Sequence, residues 1–430
     1  MNTPPYDVLI VGGRPAGASL AIRLGRLGHR VLLLERASLP SPPNVPSCPT
    51  LHMGALAILD ELGLPEQSYA AGAVRVDHFV IQFSGYFTAW LEVPEVHGRS
   101  YELSIDRAVF DDALLRLASQ TPNVEVRRFS VKRALLEDGV AVGVEGNAPD
   151  GPSETLHARW IIGADGRFSG VARDLGSKVV EEVTDTVSTL YFTDWEGVTP
   201  PDPKRPHAVA VYTTGRGRNV LFFPLPGGRT TVCLHERADR VQTDGDPGAY
   251  YRGVLESMPG IAPRLREARM VGKLLGLKRV GNGYREAAGP GWALAGDAYH
   301  YKDPVDGQGI YDALLGTRIL AEELHAQLSG QKDAASAARD YSARVHAATH
   351  PMFLATVKRL QTELYSEPPV PVIRTLLRWM LQDREYHVRF MRFLGRDIEP
   401  EGWLPLRFVL GAWGRGLWRD LRGWFGAVSG

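Results

Sequence analysis

Residues 7 to 35 contain a short apolar run, a glycine-rich turn, a segment with apolar residues at helical spacing (Leu20, Ile22, Leu24, Leu27) and a second apolar run, Val31-Leu32-Leu33-Leu34. Strands without polar alternation are buried on both faces, so the pattern predicts a βαβ unit with parallel strands. The turn reads Gly12-Gly13-Arg14-Pro15-Ala16-Gly17, and Glu35 ends the second strand 18 residues after Gly17. This spacing is a dinucleotide fingerprint. Gly12 permits the tight turn, the free N–H groups of the following helix suit a pyrophosphate, Gly17 lets helix and strand approach, and Glu35, followed by Arg36, can accept ribose hydroxyls. Arg14 stands where a second glycine would admit the phosphates, although its cation suits the same group. The plainer reading, a tight turn that binds nothing, is weakened by the strand, helix and Glu35 all being in place.

The 430 residues suffice for two to three domain-sized units. After a helix around 54–62, strand-like alternation at 74–83 and 86–93 interrupts the α/β pattern, and a helix over 107–118 with strands near 124–131, 140–144 and 160–163 resumes it. Residues 183–234 suit a mainly antiparallel sheet. A strand at 292–295 and a helix over 309–328 follow. The division expected is a discontinuous dinucleotide domain (1–75, 101–180, 278–335), an inserted substrate domain (76–100, 181–277) and a helical region (336–430). Lys and Arg total 49 against 49 Asp and Glu, which gives no electrostatic reason to expect nucleic acid. Cys48 and Cys233, the two cysteines, make neither a disulfide framework nor a Cys-rich metal site, and no metal is expected. No run of about 18 apolar residues and no cationic leader is present, so a cytoplasmic protein is expected. Residues 370–430 hold five of nine Trp, and ten Arg against six acids. Such a tail is either a helix packed on its own domain or a face for peripheral membrane contact.

Three further segments bear on the ligand. Ala158 to Arg167 ends Gly163-Ala164-Asp165-Gly166-Arg167, with Ser169 and Arg173 beyond, and Trp292 to Ala295 runs into Gly296-Asp297-Ala298-Tyr299-His300, then Pro304 and Gly307-Gln308-Gly309. Arg107 precedes Phe110, Asp111 and Leu114. Gly296-Asp297 lies at the end of a buried strand, where open α/β sheets bind ligands, and a carboxylate there needs hydroxyl or N–H donors. The helix after Gly309 directs free N–H groups toward whatever negative charge lies before it. Asp165 is otherwise a turn carboxylate capping local N–H groups.

Together with the fingerprint, these blocks resemble, in order, the class A flavoprotein monooxygenases of the para-hydroxybenzoate hydroxylase type. The resemblance implies a Rossmann-like FAD domain with an inserted, mainly antiparallel substrate sheet and a C-terminal helical region. Carried over residue by residue, it places Gly12, Gly13, Arg14, Pro15, Ala16, Gly17, Glu35, Arg36, Arg107, Val131, Asp165, Gly166, Gly296, Asp297, Pro304, Gly307, Gln308, Gly309 and Ile310 around FAD. Asp297 would hold the ribityl or ribose chain, and Pro304 and Gly307 would lie against the flavin ring.

The chain departs from that pattern at Ile310-Tyr311-Asp312-Ala313, which looks closer to flavin-dependent halogenases and geranylgeranyl reductases. The halogenase Trp-x-Trp-x-Ile-Pro is absent, the stretch reading Asn219 to Pro224, and only Phe223-Pro224 remains of the prenyl reductase pattern. The resemblance therefore implies a monooxygenase. NAD(P)H reduces FAD, O2 adds to give a flavin hydroperoxide, and an apolar aromatic or isoprenoid/polyketide-type metabolite is hydroxylated or epoxidised. His300 and His52 are the candidates to titrate near pH 7, and Tyr212 to orient a phenol; packed structural roles are the alternatives. The aromatics Phe79, Phe83, Tyr86, Phe87, Trp90, Tyr191, Phe192, Tyr212, Phe222 and Phe223 suit an apolar substrate or a sheet core. Competing readings are a reductase of prenyl double bonds, a halogenase and a lipid carrier resembling escort proteins; a monomer or homodimer suits each.

Overall fold

The computed structural model describes residues 5–83, 85–241 and 245–428. Strand Tyr6–Val11 lies between two parallel neighbours, Val31–Glu35 and Ser153–Gly163, and Val124–Arg128 and Trp292–Leu294 extend this parallel core. Val8, Leu9, Ile10, Leu32 and Leu33 are buried completely. Helices Pro15–Arg26 and Gly309–Leu328 pack on each other and share that core, which explains strands that are apolar on both faces. The antiparallel strands Ser130–Glu137 and Val140–Asn147 pair onto the outer half of Ser153–Gly163.

The second sheet has nine strands, and its pairs are antiparallel except where His78–Phe83 runs parallel to Val209–Thr213. The pattern over 74–83 predicts one strand, whereas the structure contains two. Ala73–Val76 pairs with Glu102–Ile105 in a three-stranded sheet, and His78–Phe83 begins the second sheet beyond Asp77. Alternation persists through both, so a change of pairing partner leaves no mark on it.

The two faces of the second sheet differ. Val80, Ala210, Tyr212, Val220 and Phe222 form one packed core with helix Pro247–Glu256. On the opposite parity Phe79, Ile81, Val211 and Leu221 are only half-buried, and this face looks toward the segment 303–309 through contacts from Ser188 and His235 to Asp303. C-terminal helices, Ala334–Leu360 and Arg384–Leu394, cover its edge through Met352, Met391 and Phe393 against Ala89 and Leu91. The chain is thus α/β, with a Rossmann-like unit, an inserted sheet and a helical C-terminal region. Among the described residues no helix is long and apolar enough to cross a membrane.

Candidate functional site

The turn after the first strand has the geometry the fingerprint requires. Gly12 has φ +106°, and a Cβ there would stand 2.4 Å from the Ala164 carbonyl oxygen. A Cβ on Gly17 would lie 1.7 Å from the Gly12 oxygen, so neither position accepts a side chain. Glu35, buried, accepts from Gly13 N–H at 2.7 Å and Ala37 N–H at 2.8 Å. Those bonds orient the carboxylate and leave it further acceptor capacity for a diol.

Arg14 departs from the simplest expectation. Its guanidinium reaches Asp111 Oδ2 at 2.5 Å and the carbonyls of Ser41 and Pro42 at 3.2 Å. Arg107 donates to both oxygens of the same carboxylate at 3.0 Å. Asp111 is completely buried, so two arginines share one anion and one positive charge remains beside the turn. Arg36 is exposed, and Val131 lies half-buried against the first core.

Asp165 acts locally, accepting from Ser169 Oγ at 2.5 Å and Val171 N–H at 3.2 Å, next to Gly166 at φ +84°. Asp297 differs. It follows the strand Trp292–Leu294 at the Gly296 turn, is open to the cleft, and its carboxylate has no hydrogen-bond partner among the described residues. Enclosure by the surrounding protein raises its pKa, opposed first by the Arg167 cation. A carboxylate in that position fits a polyol chain that brings its own donors.

The segment from Pro304 to Ile310 is held from three directions. Asp303 Oδ2 accepts from Ser188 and, at 3.2 Å, from His235, while its backbone N–H donates to Asn282 at 2.7 Å. Asp306 accepts from Thr356 at 2.6 Å and Arg359 at 2.5 Å, both on the long C-terminal helix. Gln308 donates to the Leu394 carbonyl at 2.8 Å and accepts from Arg396 at 2.9 Å. Gly307 has φ +65°, and a Cβ there would meet His52 Nε2 at 2.9 Å. The 20-residue helix Gly309–Leu328 then starts, with open space at Gly309 and Ile310 buried, and its N-terminal N–H groups favour negative charge nearby.

Behind this segment sits a buried ionic cluster. Asp312 is 2.6 Å from Lys302 Nζ and 2.5 Å from Arg396 Nη2, all three groups being nearly inaccessible. Burial alone would raise the Asp312 pKa, but Lys302 and Arg396 hold it below the usual carboxylate range; burial lowers that of Lys302.

The expected catalytic side chains fare differently. His300 stacks on Tyr284 at 4.7 Å, and burial depresses its pKa to about 3, so it is neutral near pH 7 rather than titrating there. His52 Nε2 faces the Asp306 carbonyl at 2.8 Å, an acceptor only, and Nδ1 lies 2.9 Å from buried Glu102. Burial opposes its charged form, but Glu102 and then the Asp306 carbonyl outweigh burial and raise the pKa. Tyr212 is removed from the cleft, because its strand parity directs it into the core under helix Pro247–Glu256, where its hydroxyl bonds Arg264 at 3.3 Å. The same parity withdraws Tyr191 and Phe222 and leaves Phe79, Phe83 and Phe223 on the inner face.

Sequence reasoning missed Lys302, Asp303 and Arg396 and gave Asp312 no role. Asp312, a carboxylate in the apolar stretch after Gly309, carries a weak signal of a buried partner; Arg396, 84 residues away, carries none.

The comparisons with known proteins agree with this geometry. Squalene epoxidase 3 of Arabidopsis thaliana is 28% identical over 331 residues, 74% of this chain and 60% of that protein. Rifampicin monooxygenase of Streptomyces venezuelae is 28% identical over 389 residues, 88% of this chain and 75% of that protein. The chain thus spans 60 to 75% of the length of these relatives. A flavin-dependent brominase, Bmp2 in a triple-mutant form, superposes with a TM-score of 0.77 at 18% identity, covering 96% of this chain and 99% of its own, which establishes a shared fold. A family model described as FAD binding domain matches residues 5–352, the stretch that holds the fingerprint, Asp165, Asp297 and the 304–310 segment, and the chain belongs to that FAD-binding family.

Proposed function

We propose that this chain is an FAD-dependent monooxygenase that uses NAD(P)H and O2 to hydroxylate or epoxidise an apolar aromatic or isoprenoid/polyketide-type metabolite. The observation that carries the reading is the inner face of the second sheet. Phe79, Ile81, Phe83, Val211 and Leu221 are half-buried there, on the face from which Ser188 and His235 reach Asp303, and Phe79, Ile81 and Leu221 lie against neighbouring buried clusters. That is an apolar wall without a complete cover beside the flavin's expected place. The names of two relatives, an epoxidase and a monooxygenase, support oxygen transfer.

NAD(P)H supplies two electrons as hydride and solvent a proton; one oxygen atom of O2 enters the substrate and the other leaves as water. When bound, FAD supplies the hydride acceptor and the oxygen-activating ring. The chain's own residues bind and exclude: Gly12 to Gly17 take the pyrophosphate, Glu35 a ribose and Asp297 the ribityl chain. The start of helix Gly309–Leu328 stabilises negative charge on the ring, and Met352, Met391 and Phe393 help keep water out. His300, held neutral by burial, and His52, held between the Glu102 carboxylate and the Asp306 carbonyl, position the segment from behind rather than exchange protons with the substrate.

The FAD-loaded protein should show matched O2 and NAD(P)H uptake stimulated by an apolar phenol or prenylated quinone, with oxygenated product. Product formed without O2 would replace this reading by a reductase, and halide-dependent product by a halogenase.

The last helix, Leu406–Val428, gives the enzyme a place to work. Leu406, Leu410, Leu417, Leu421 and Trp424 repeat at helical spacing and are 38 to 69% exposed. Arg415, Arg419 and Arg422 lie on the opposite side of the helix, where Arg415 pairs with Asp383 and Glu385 and Arg419 donates to the Gln382 carbonyl; Arg407 lies nearest the stripe. An exposed apolar stripe suits a bilayer surface, and the exposed Arg407 and Arg422 are the cations of this helix left to meet anionic headgroups. Vesicles containing phosphatidylglycerol should sediment the protein in low salt, and Trp424→Ser with Phe425→Ser should release it. Unchanged sedimentation, or a dimer that those changes dissolve, would assign the face elsewhere.

A further inference from the structure

His346 and His350 lie one helical turn apart on the helix Ala334–Leu360, and Glu181 faces them from the strand Val179–Glu196. One donor atom from each, two imidazole nitrogens and a carboxylate oxygen, fall within 4.8 Å of one another. His350 Nε2 is 3.1 Å and His346 Nε2 4.0 Å from Glu181 Oε2. Donors each about 2.0–2.2 Å from a tetrahedral ion stand roughly 3.3–3.6 Å apart, so small rotamer adjustments bring all three onto one ion.

We propose that Glu181, His346 and His350 form a site for a single divalent transition-metal ion of the Zn2+ type, with water in the fourth position. Three features support it. The (i, i+4) spacing aims both imidazoles to the same side, and their rings already stack at 4.4 Å with 24° between planes, an arrangement that two imidazolium cations would resist. Two nitrogens and one oxygen suit zinc, cobalt, nickel or copper rather than magnesium or calcium, which take oxygen ligands. The side chains remain 27 to 44% exposed, which leaves an entry path and room for the water.

Such an ion would tie the long C-terminal helix to the second sheet close to Tyr284, whose ring lies 5.1 Å from His346 and 4.7 Å from His300. It would brace the helix that supplies Thr356 and Arg359 to the 304–310 segment. None of the three residues is among those proposed to hold FAD, so metal binding is measurable whatever the reaction.

The test uses the full-length FAD-loaded protein, stripped with chelator and titrated with ZnCl2 against a chromophoric chelator and with CoCl2 by visible absorption. One equivalent should bind, Co2+ should give the intense d–d bands of tetrahedral coordination, and Zn2+ should raise Tm. His346→Gln, His350→Gln and Glu181→Gln should each weaken binding at least roughly tenfold with flavin content unchanged. Because His346 is partly exposed, its Gln variant tests the site without threatening the fold. Wild type that binds Zn2+ no more tightly than the double variant His346→Gln/His350→Gln, or that gives octahedral aquo-like Co2+ spectra, would overturn the proposal and leave a His–Glu contact.

Discussion

The end of the cleft proposed for the nucleotide and the end proposed for the flavin ring are built by different means. At the end proposed for the nucleotide, the constraints are mostly local and steric: a Cβ on Gly17 would sit 1.7 Å from the Gly12 oxygen and Glu35 ends the next strand, while one distant carbonyl, Ala164, closes on Gly12. At the ring end, Asp303, Asp306, Gln308 and Asp312 are held by Ser188, His235, Thr356, Arg359, Lys302 and Arg396, drawn from distant parts of the chain. The first end is specified by what cannot fit, the second by which charges have been paired. Steric rules leave short-range spacing in a sequence, and pairing across long separations does not.

Variants can break or sharpen that contrast. The largest effect belongs to Gly17→Val, which should abolish FAD binding or folding outright; purified protein with a normal ratio of 450 nm to 280 nm absorbance would show that the close approach is dispensable. Arg396→Ala should cost about 3 kcal/mol of stability by leaving Asp312 with Lys302 alone in a buried site. Urea unfolding reads it, and an unchanged midpoint would mean the cluster is not coupled to the fold. Next come the two carboxylates proposed to hold FAD. Asp297→Ala and Glu35→Ala should each weaken FAD by about 1–3 kcal/mol, Glu35 through the adenosine ribose and Asp297 through the ribityl chain, and reconstitution titrations that match wild type would remove the assignment.

The smallest effect separates the two histidines by pH. His300 is depressed to about 3 against an unfolded value near 6.5, so the unfolded chain binds the extra proton. Stability should fall as pH drops from about 6.5 toward 3. His52 is raised, so its stabilisation is complete below about 6.5 and is lost as pH rises through its folded value. Tm measured against pH should therefore lose part of its acid slope in His300→Phe and part of its alkaline slope in His52→Gln. Identical slopes in either variant and wild type would contradict the environments described.

Legibility in the sequence follows the same division. Gly12, Gly17, Glu35 and the Gly296-Asp297 turn are readable because each sits at a fixed short distance from the end of an apolar strand. The orientation of Tyr212 was not, since composition marks it aromatic but only strand register decides which face it joins. The break at Asp77 was hidden by unbroken alternation. Asp111 was visible as part of a helix, but not as the shared anion of Arg14 and Arg107. The spacing of His346 and His350 could be seen in the sequence; Glu181, which gives it meaning, lies across the fold.

Arg396 carries a consequence for biosynthesis. It lies beyond the segment 5–352 that matches the family model, yet it completes the Asp312 cluster behind the ring segment. As the polypeptide emerges from the ribosome, the pyrophosphate turn, Glu35 and Asp297 are all available before the residue that locks the far end has been made. Synthesis therefore completes the proposed nucleotide end of the cleft before the residue that fixes the far end exists, and the Asp312 cluster closes only with the final helices.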